Sequence, residues 1–309
     1  FSDSTANVVS TANFNIVPKF TLTAPNAGSE IWKVAETHTI TWDCVGTLAN
    51  VKLDLSKDGG VSFPVSITPS TANDGSFDWT VTDNISGNCR VRVMSAVAPF
   101  ASDMSDADFK IKGVFTVTSP NGSEQWKIAQ KYPVTWVTTG TIANVGILYS
   151  EDSGVTFPNT VIGSVANINT YEWTIPDTRT PNARVRIFNP SDATVYDDSN
   201  ADFRIQGFLT LTSPVGGEAW IAGDQHTISW MWGGTLPTVK LTYSTDGGVS
   251  YGYTIAESAP NGAGAGGSHS FSWTVPDTLT LQCRVKVEDP GDNTVFSISE
   301  ANFKIRGEF

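Results

Sequence analysis

The chain has 309 residues, with 19 lysines and arginines against 31 aspartates and glutamates, which gives a formal net charge of −12 at pH 7. No cluster of lysine or arginine offers a surface that follows a phosphate backbone, so nucleic acids and anionic membrane surfaces are expected to be poor partners. No apolar run approaches the roughly 20 residues that a membrane-spanning helix needs, which excludes membrane insertion within this segment.

The first residues resemble a piece of later sequence. "ANF" at 12–14 corresponds to "ADF" at 201–203 and to "ANF" at 301–303, where each motif precedes an apolar strand. We therefore expect residues 1–18 to be the closing strand of a preceding repeat, and residues 308–309 to start a following one. In an alternative interpretation, the strand at 1–18 pairs with the sheet edge of a neighbouring molecule.

Tryptophans recur in register along the chain, at a spacing of 94 residues. The last interval is longer because the third copy contains an extra stretch in "NGAGAGGSH" (261–269), which we expect to be poorly ordered. The recurrence predicts three tandem repeats at 19–113, 114–207 and 208–307. The matching sets are Trp32, Trp126 and Trp220; Trp42, Trp136 and Trp230; and Trp79, Trp173 and Trp273.

Within each repeat the apolar residues alternate over short runs, as in "NVKLDLS" (50–56) and "SFDWTV" (76–81). A period of two predicts half-buried strands, and Gly, Asn, Asp and Pro turns separate them. The sequence therefore predicts an all-β fold of three tandem immunoglobulin-like antiparallel β-sandwiches. Because a single glycine joins successive repeats in "FKIKGVFTV" (109–117) and "FRIQGFLTL" (203–211), we expect little hinge motion and a semi-rigid rod.

A polar motif recurs as "SKDGGVSF" (56–63), "SEDSGVTF" (150–157) and "STDGGVSY" (244–251). Its spelling resembles the Asp-box hairpins of sialidases. An aspartate can accept backbone N–H bonds across a tight turn, and a glycine can adopt positive φ without steric cost, so we interpret the motif as a structural hairpin and not as a catalytic centre. The hairpin residues are Asp58, Gly60, Asp152, Gly154, Asp246 and Gly248.

Two cysteines are predicted to point into one core, because side chains alternate along a strand. Cys44 shares a face with Trp42, and Cys89 shares a face with Val91. The other repeats lack this pair. A disulfide between Cys44 and Cys89 and two buried free thiols stand as equal alternatives.

The chain offers little catalytic chemistry. His38 and His226 fill the strand position that Tyr132 has in the second repeat, and no spacing indicates a nucleophile with its base or a zinc site, so we predict no enzyme activity. Acidic residues near the repeat boundaries make calcium a minor alternative to an absence of cofactors, and exposed pairing with strand arginines is the favoured interpretation. The acids are Asp103, Asp106, Asp108, Asp197, Asp198, Asp202, Glu30, Glu124 and Glu218.

The motif order of each repeat resembles a known module. The chain is similar to the Ser-Thr-rich glycosylphosphatidylinositol-anchored membrane family, named for yeast proteins of cell-wall glucan assembly, whose relatives occur in tandem in large secreted bacterial proteins. The resemblance implies an extracellular immunoglobulin-like sandwich in cell-surface or cell-wall proteins, and it brings no catalytic residue. It covers residues 19–307 and is carried in the second copy by "TSPNGSEQWKIAQKYPVTW" (118–136), "NVGILYSEDSGVTF" (144–157), "YEWTIPDT" (171–178), "ARVRIFNPSD" (183–192) and "DDSNADFRI" (197–205).

Two functions follow as hypotheses. The first is a non-catalytic structural and adhesive segment of an extracellular cell-surface stalk, sheath or filament, whose partners are other copies of itself, neighbouring repeats, or cell-wall and surface polymers. The second is an array of carbohydrate-binding modules of a secreted enzyme or cell-wall protein, since sandwiches can bind glycans through exposed aromatic side chains. The candidate glycan contacts are Trp32, Trp126 and Trp220, with Tyr196 and Phe296 as non-repeated additions.

Overall fold

A computed structural model describes residues 17–97, 101–262 and 264–308. Residues 1–16, which make up most of the closing strand expected at 1–18, lie outside the described residues. Residue contacts divide the chain into two compact units. The first comprises the described residues up to Phe115 together with Thr138–Ala143, and the second comprises Thr116–Val137 and the described residues from Asn144 onwards.

The first unit contains one β-sandwich. The described strands are β1 (Lys19–Ala24), β2 (Ile31–Lys33), β3 (Thr37–Val45), β4 (Asn50–Ser56), β5 (Val65–Ala72), β6 (Ser76–Thr80), β7 (Ser86–Ser95), β8 (Ser102–Met104) and β9 (Phe109–Lys112). One sheet has the strand order β1-β3-β6. The other has the order β2-β9-β7-β4-β5, and β8 pairs with β7 beside this path.

Two further sandwiches repeat this topology strand for strand. The first of them has β10 (Val114–Ser119), β11 (Gln125–Lys127), β12 (Lys131–Thr139), β13 (Asn144–Ser150), β14 (Asn159–Ala166), β15 (Thr170–Thr174), β16 (Thr180–Asn189), β17 (Asp192–Asp198) and β18 (Phe203–Gln206). The last has β19 (Phe208–Ser213), β20 (Ala219–Ile221), β21 (Gln225–Gly233), β22 (Thr238–Ser244), β23 (Tyr253–Pro260), β24 (Gly266–Thr274), β25 (Thr280–Asp289), β26 (Asp292–Ile298) and β27 (Phe303–Arg306). The chain is therefore all-β, with three tandem immunoglobulin-like sandwiches, as predicted.

One pairing in each sandwich differs from the antiparallel prediction. The three-residue strand β2 runs parallel to β9, with Trp32 beside Ile111, and the pairs β11–β18 and β20–β27 are also parallel. A parallel pair needs a long crossover connection, and here nearly the whole repeat supplies it. The short strand carries the first tryptophan of the repeat into the core.

The described part of the glycine-rich stretch, 261–262 and 264–269, is more regular than expected. It extends β24 to nine residues, where β6 has five, and Gly267 pairs with Trp232 on β21. The indole ring of Trp232 explains why glycine occupies these positions. A Cβ on Gly267 would lie 3.0 Å from the ring, and one on Gly262 would lie 3.1 Å from it. The strand therefore forms because its backbone can pass close over Trp232.

The repeated tryptophans build the cores, as their alternation predicts. Trp42, Trp136 and Trp230 are exposed by 2% or less. Large aromatic side chains bury much apolar area, so these residues dominate the packing between the two sheets of a sandwich. The core of the first sandwich also contains Trp32 and Trp79.

Candidate functional site

The hairpins form the same hydrogen-bond network in all three repeats. Asp58 Oδ1 accepts hydrogen bonds from Ser56 Oγ at 2.6 Å and from Ser62 N at 2.9 Å, while Oδ2 accepts one from Ser62 Oγ at 2.5 Å. Gly60 has a φ of +90° and donates its N–H to Ser56 Oγ at 2.8 Å. Matching contacts surround Asp152, Gly154, Asp246 and Gly248. Both carboxylate oxygens are thus used within each turn.

These hydrogen bonds make the hairpin aspartates stronger acids. Ser56 and Ser62 lower the pKa of Asp58 from 3.8 to about 2, and Ser150 and Thr156 lower the pKa of Asp152 to about 2. The hydroxyl groups around Asp246 lower its pKa still further. A general acid or base works best with a pKa near the working pH, so these carboxylates are unsuited to proton transfer at neutral pH.

The three tryptophans proposed for glycan contact are enclosed. Trp32, Trp126 and Trp220 are only 5–7% exposed. One ring face is stacked on His38 at 4.6 Å, on Tyr132 at 5.0 Å and on His226 at 4.5 Å respectively. Aromatic neighbours also pack beside these rings. No face of these rings is accessible to a sugar, so the three tryptophans are excluded as glycan contacts.

The disulfide between Cys44 and Cys89 is not formed, and both side chains are free thiols. Cys44 is half-buried and its Sγ lies 3.8 Å from Gly46 O, whereas Cys89 is fully buried with its Sγ 3.6 Å from Ser86 O. Burial raises the pKa of Cys89 to about 11. Of the two alternatives, the structure therefore has the free thiols, each bonded to a separate carbonyl group.

The acids considered for calcium are engaged by protein donors. Asp108 accepts from Arg90 Nε at 2.6 Å, and Asp202 accepts from Arg184 Nε at 2.6 Å. Glu124 accepts two backbone N–H groups, those of Asn121 at 2.7 Å and of Gly122 at 2.8 Å. Within 17–97, 101–262 and 264–308, no three residues of the His, Cys, Asp or Glu type lie close enough to hold a metal ion.

Two exposed aromatics occupy one equivalent position, although the sequence comparison treated them as unrelated. Tyr196 pairs with Phe188 and is 49% exposed, and Phe296 pairs with Glu288 and is 47% exposed. The guanidinium carbon of Arg186 lies 4.0 Å from the centre of the Tyr196 ring. Each of these two rings is therefore about half exposed, as is that of Tyr253, at 48%.

Inside the second unit, a turn of the third repeat inserts against the second. This junction turn consists of Gly234, Thr235 and Leu236, and Leu236 is only 1% exposed. Gly234 has a φ of +89°, and a Cβ placed on it would lie 2.7 Å from Ile128 Cδ1 and 3.3 Å from Gly207 Cα. Close approach of the backbone is therefore possible only because this residue is glycine.

An aspartate of the second repeat holds the junction turn. Asp177 Oδ1 accepts the backbone N–H of Thr235 at 2.9 Å, and Oδ2 accepts its hydroxyl at 2.5 Å. Hydrogen bonds to a charged group are stronger than those between neutral groups and fix the direction of approach. Thr235 thus donates two hydrogen bonds to one carboxylate. Two hydrogen bonds fix the orientation of the turn relative to Asp177.

Two ion pairs flank this contact. Arg179 binds Asp289, and Arg204 binds Asp292, with the two arginine side chains of the second repeat about one third exposed and the carboxylates nearly buried. Burial acts to raise the pKa of Asp292, but the hydrogen bonds from Thr294 and Arg204 together lower it. The cleft between these pairs is therefore lined by arginines that already have an anionic partner.

The first unit contains a copy of the aspartate contact. Thr141 Oγ1 donates to Asp83 Oδ2, and a Cβ on Gly140 would lie 3.1 Å from both Val34 and Ile85 side chains. Both residues of the pair are displaced by 94 positions from Asp177 and Thr235. The contact is therefore a repeated part of the fold.

An asparagine in each repeat links the core to the junction turn, and sequence reasoning missed it. Asn261 Oδ1 accepts the indole N–H of Trp230 at 2.5 Å, and its amide Nδ2 donates to Leu236 O at 2.9 Å. Asn73 links Trp42 to Leu48 O in the same way. The signal was available, because Asn73, Asn167 and Asn261 also recur at 94 residues.

No family model and no curated protein matches the chain. Among solved structures, an I-band fragment of titin is 12% identical over 94% of this chain and 99% of its own, with a TM-score of 0.26. The four N-terminal immunoglobulin domains of Dscam1 are 9% identical over 95% of this chain and 74% of theirs, with a TM-score of 0.25. Fibronectin(III)-like modules of Clostridium thermocellum CbhA are 16% identical over 60% of this chain and 92% of theirs, with a TM-score of 0.22.

No helix long and apolar enough to cross a membrane occurs in the described part of the chain.

Proposed function

We propose that the chain is a non-catalytic structural and adhesive segment of an extracellular surface protein, in which the repeats act as a stiff spacer. The observation that carries this proposal is the repeated junction. The pairs Asp83–Thr141 and Asp177–Thr235 use the same residue types at the same positions, with glycines that permit close backbone contact. A contact conserved between copies within one chain is expected where the relative position of repeats matters.

The chemistry of the described side chains also supports a structural role. The hairpin aspartates are committed to their own turns, and the buried thiols of Cys89 and Cys283 have pKa values raised to about 11 and about 12 by burial. A nucleophilic cysteine needs a lowered pKa, so these thiols are inert. The resemblance to the Ser-Thr-rich cell-wall family agrees with an extracellular surface location.

The stiffness of the junction can be tested by measuring a distance between two labels in the second unit. Spin labels at Val155→Cys and Val249→Cys, which replace side chains 81% and 88% exposed, report on the second and third repeats. A Cys44→Ser change removes the half-buried thiol, and the two buried thiols stay unlabelled. We expect one narrow distance distribution from pulsed electron spin resonance.

Two matched variants complete this test. Asp177→Ala removes the junction carboxylate and should broaden the distribution, whereas Asp277→Ala changes the equivalent residue of the third repeat and should leave it narrow. A broad distribution in the otherwise unmodified protein would overturn the stiff-spacer proposal. Labelling of intact source cells with an antibody against the chain tests the surface location, and purely internal staining would contradict it.

A carbohydrate-binding array is the second candidate, and the exposed rings of Tyr196 and Phe296 favour it. A sugar can stack on an open aromatic face, and these two residues occupy equivalent strand positions. Binding of the protein to a panel of cell-wall polysaccharides measures this function. Retention that is lost in Tyr196→Ala with Phe296→Ala, but kept in Val155→Ala, would support the second candidate over the first.

A further inference from the structure

The third repeat has a long strand at the edge of its smaller sheet. This sheet has the order β19-β21-β24, and among the strands that the structure describes none pairs with the other side of β24. The strand comprises nine residues, Gly266–Thr274, whereas the equivalent edge strands β6 and β15 have five each. The extension begins beside the junction turn, where Gly234 N donates to Ala265 O at 2.7 Å. It is exposed although it lies at the end of the repeat that adjoins the second repeat.

The backbone groups of alternate β24 residues point away from β21. Ala265 O accepts the N–H of Gly234 at 2.7 Å, and Val275 N donates to Asp224 O at 2.9 Å. The pairing register is uninterrupted between these two contacts. Because the hydrogen-bonding direction alternates along an antiparallel strand, the odd-numbered residues bond to β21 and the even-numbered residues direct their N–H and C=O groups to the free edge. These outward residues are Gly266, Ser268, Ser270, Ser272 and Thr274.

The sequence of β24 lacks the features that protect the other two edges. Native sheets usually prevent pairing at an edge by a short strand or by charged side chains. The strands β6 and β15 are short, and they carry Asp78 and Glu172 directly before the repeated tryptophan. The third repeat has Ser272 at this position, and residues 266–274 contain no Lys, Arg, Asp, Glu or Pro. The edge strand that is lengthened is thus also the one without charge, so it can accept a further strand.

The side chains of β24 favour a second copy of the same strand as the partner. Two molecules that each carry a net charge of −12 repel one another, so a contact between them needs a segment without charge. The stretch "SHSFS" (268–272) has a serine at its centre and at both ends. If two copies run antiparallel about a two-fold axis at Ser270, Ser268 of each copy lies opposite Ser272 of the other. These serines are exposed, and small hydroxyl side chains that face one another across two strands stabilise the pair.

We propose that β24 pairs with β24 of a second copy of this chain, antiparallel and centred on Ser270. The five outward residues of one copy then exchange two backbone hydrogen bonds each with the other copy, about ten in all. Two sheets of three strands thereby become one sheet of six. The contact is isologous, so it joins two molecules side by side in a closed dimer. The inference rests on the proposed function, because it specifies how copies of an adhesive segment associate.

Sedimentation velocity of the full chain measures this association. A contact between two strands buries less area than a stable dimer interface, so we expect a dissociation constant on the order of 0.1 mM. Ser272→Pro should weaken association about tenfold or more, because it removes an outward N–H and leaves the hydrogen bonds to β21 intact. The matched control is Glu172→Pro at the equivalent position of β15, which should leave the dissociation constant unchanged.

Charges placed at the two-fold axis test the register of the pair. Ser270→Lys and Ser270→Glu each put like charges opposite one another in a homodimer, so each variant alone should stay monomeric where the wild type dimerises. A mixture of the two variants puts opposite charges there and should form a heterodimer. Circular dichroism and thermal melting of each variant show that it is folded.

Three results would overturn the inference. The first is a wild-type chain that stays monomeric at about 1 mM. The second is association that persists unchanged in Ser272→Pro, because another surface would then join the copies. The third is a mixture of Ser270→Lys with Ser270→Glu that stays monomeric. The label distances in the second unit are measured well below this dissociation constant, so they test the proposed function separately.

Discussion

A single asparagine side chain completes the buried polar network of each core. In the third repeat, Asn261 satisfies the indole N–H of Trp230, which is fully buried, and also binds Leu236 O. Asn261→Leu leaves both groups without a partner. We expect a loss of about 2–4 kcal/mol in the free energy of unfolding, because each unsatisfied buried group costs about 1–3 kcal/mol.

Chemical denaturation measures this loss, and Asn159→Leu provides the control. Among the described residues, the side chain of Asn159 binds only Glu151, at the surface, so its replacement should change the free energy of unfolding far less. Equal effects of the two substitutions would show that the link from Trp230 to the junction turn is not stabilising.

The hairpin aspartates predict a stability change at acid pH. The folded pKa of Asp58 is about 2, below its ordinary value of 3.8, so folding favours the charged form. The stabilisation is complete above the ordinary value, and it is lost as the pH falls through the folded pKa. The melting temperature of the wild type should therefore exceed that of Asp58→Asn most clearly above about pH 4, and the two should converge towards pH 2.

A direct titration separates this cause from general acid unfolding. Carboxyl carbon shifts measured by NMR should report a pKa for Asp58 near 2, and Ser62→Ala should move it back towards 3.8, because that variant removes a hydroxyl donor. An Asp58 carboxyl that titrates at its ordinary value in the folded wild type would contradict the hydrogen-bond network.

At the residue scale, sequence reasoning succeeded where the interaction is local. The network of Asp58 lies within seven residues of chain, and its serine, aspartate and glycine are visible as one motif. The bond from Trp42 to Asn73 spans 31 residues. No local pattern predicts such a pair, although the recurrence of the asparagines marks the position as special.

At the element scale, the junction turn predicts an unequal cost for two glycine substitutions. Gly234 and Gly223 both have positive φ, at +89° and +93°. A Cβ on Gly223 meets no atom within 4 Å, but one on Gly234 would lie 2.7 Å from Ile128 Cδ1. We expect Gly223→Ala to cost about 1–2 kcal/mol from backbone strain alone. Gly234→Ala should cost about 1–3 kcal/mol more, because the second repeat must also move.

Calorimetry of the full chain can measure both variants and also locate the effect. Gly234→Ala should lower the coupling between the second and third repeats, so that their unfolding transitions separate, whereas Gly223→Ala should leave them joined. The same cost for both alanines would show that the turn does not press against Ile128 in solution.

The positions of the longer strands were predictable from alternation, but the pairing and direction of the strands were not. The run "NVKLDLS" (50–56) forms β4, as its period of two predicts. The parallel strand β2 has only three residues, Ile31–Lys33, which is too short for a period to be recognised. The alternation of apolar residues predicts which face of a strand is buried, but it does not predict which neighbouring strand pairs with it or in which direction.

At the scale of the whole molecule, the recurrence of motifs at 94 residues predicts the three repeats, but it does not predict the contacts between them. The repeats differ at the residues that face one another: Arg179 and Arg204 stand where the third repeat has Leu279 and Lys304. In an alignment of the three repeats, such differences look like ordinary sequence variation. The structure shows that they are matched to the next repeat, since the two arginines meet Asp289 and Asp292.

This matching predicts that charge couples the second and third repeats. Arg179→Ala leaves Asp289, whose side chain is 5% exposed, without its cationic partner. Removing one partner of a nearly buried ion pair costs about 3–5 kcal/mol, and the remaining hydrogen bond from Gly291 N to Asp289 should reduce this to about 2–3 kcal/mol. The loss should be seen in chemical denaturation of the transition that includes the third repeat.

Lys240→Ala is the matched control, because it breaks an ion pair with Glu257 that lies on the surface. Surface pairs contribute little and are screened by salt, so this variant should change the unfolding transition far less. The double change Arg179→Ala with Asp289→Ala should recover part of the lost stability, since it removes the unpaired charge as well. If the double variant were as unstable as the sum of its parts, the two residues would not interact across the junction, and the stiffness of this joint would rest on Asp177 and the glycine turn alone.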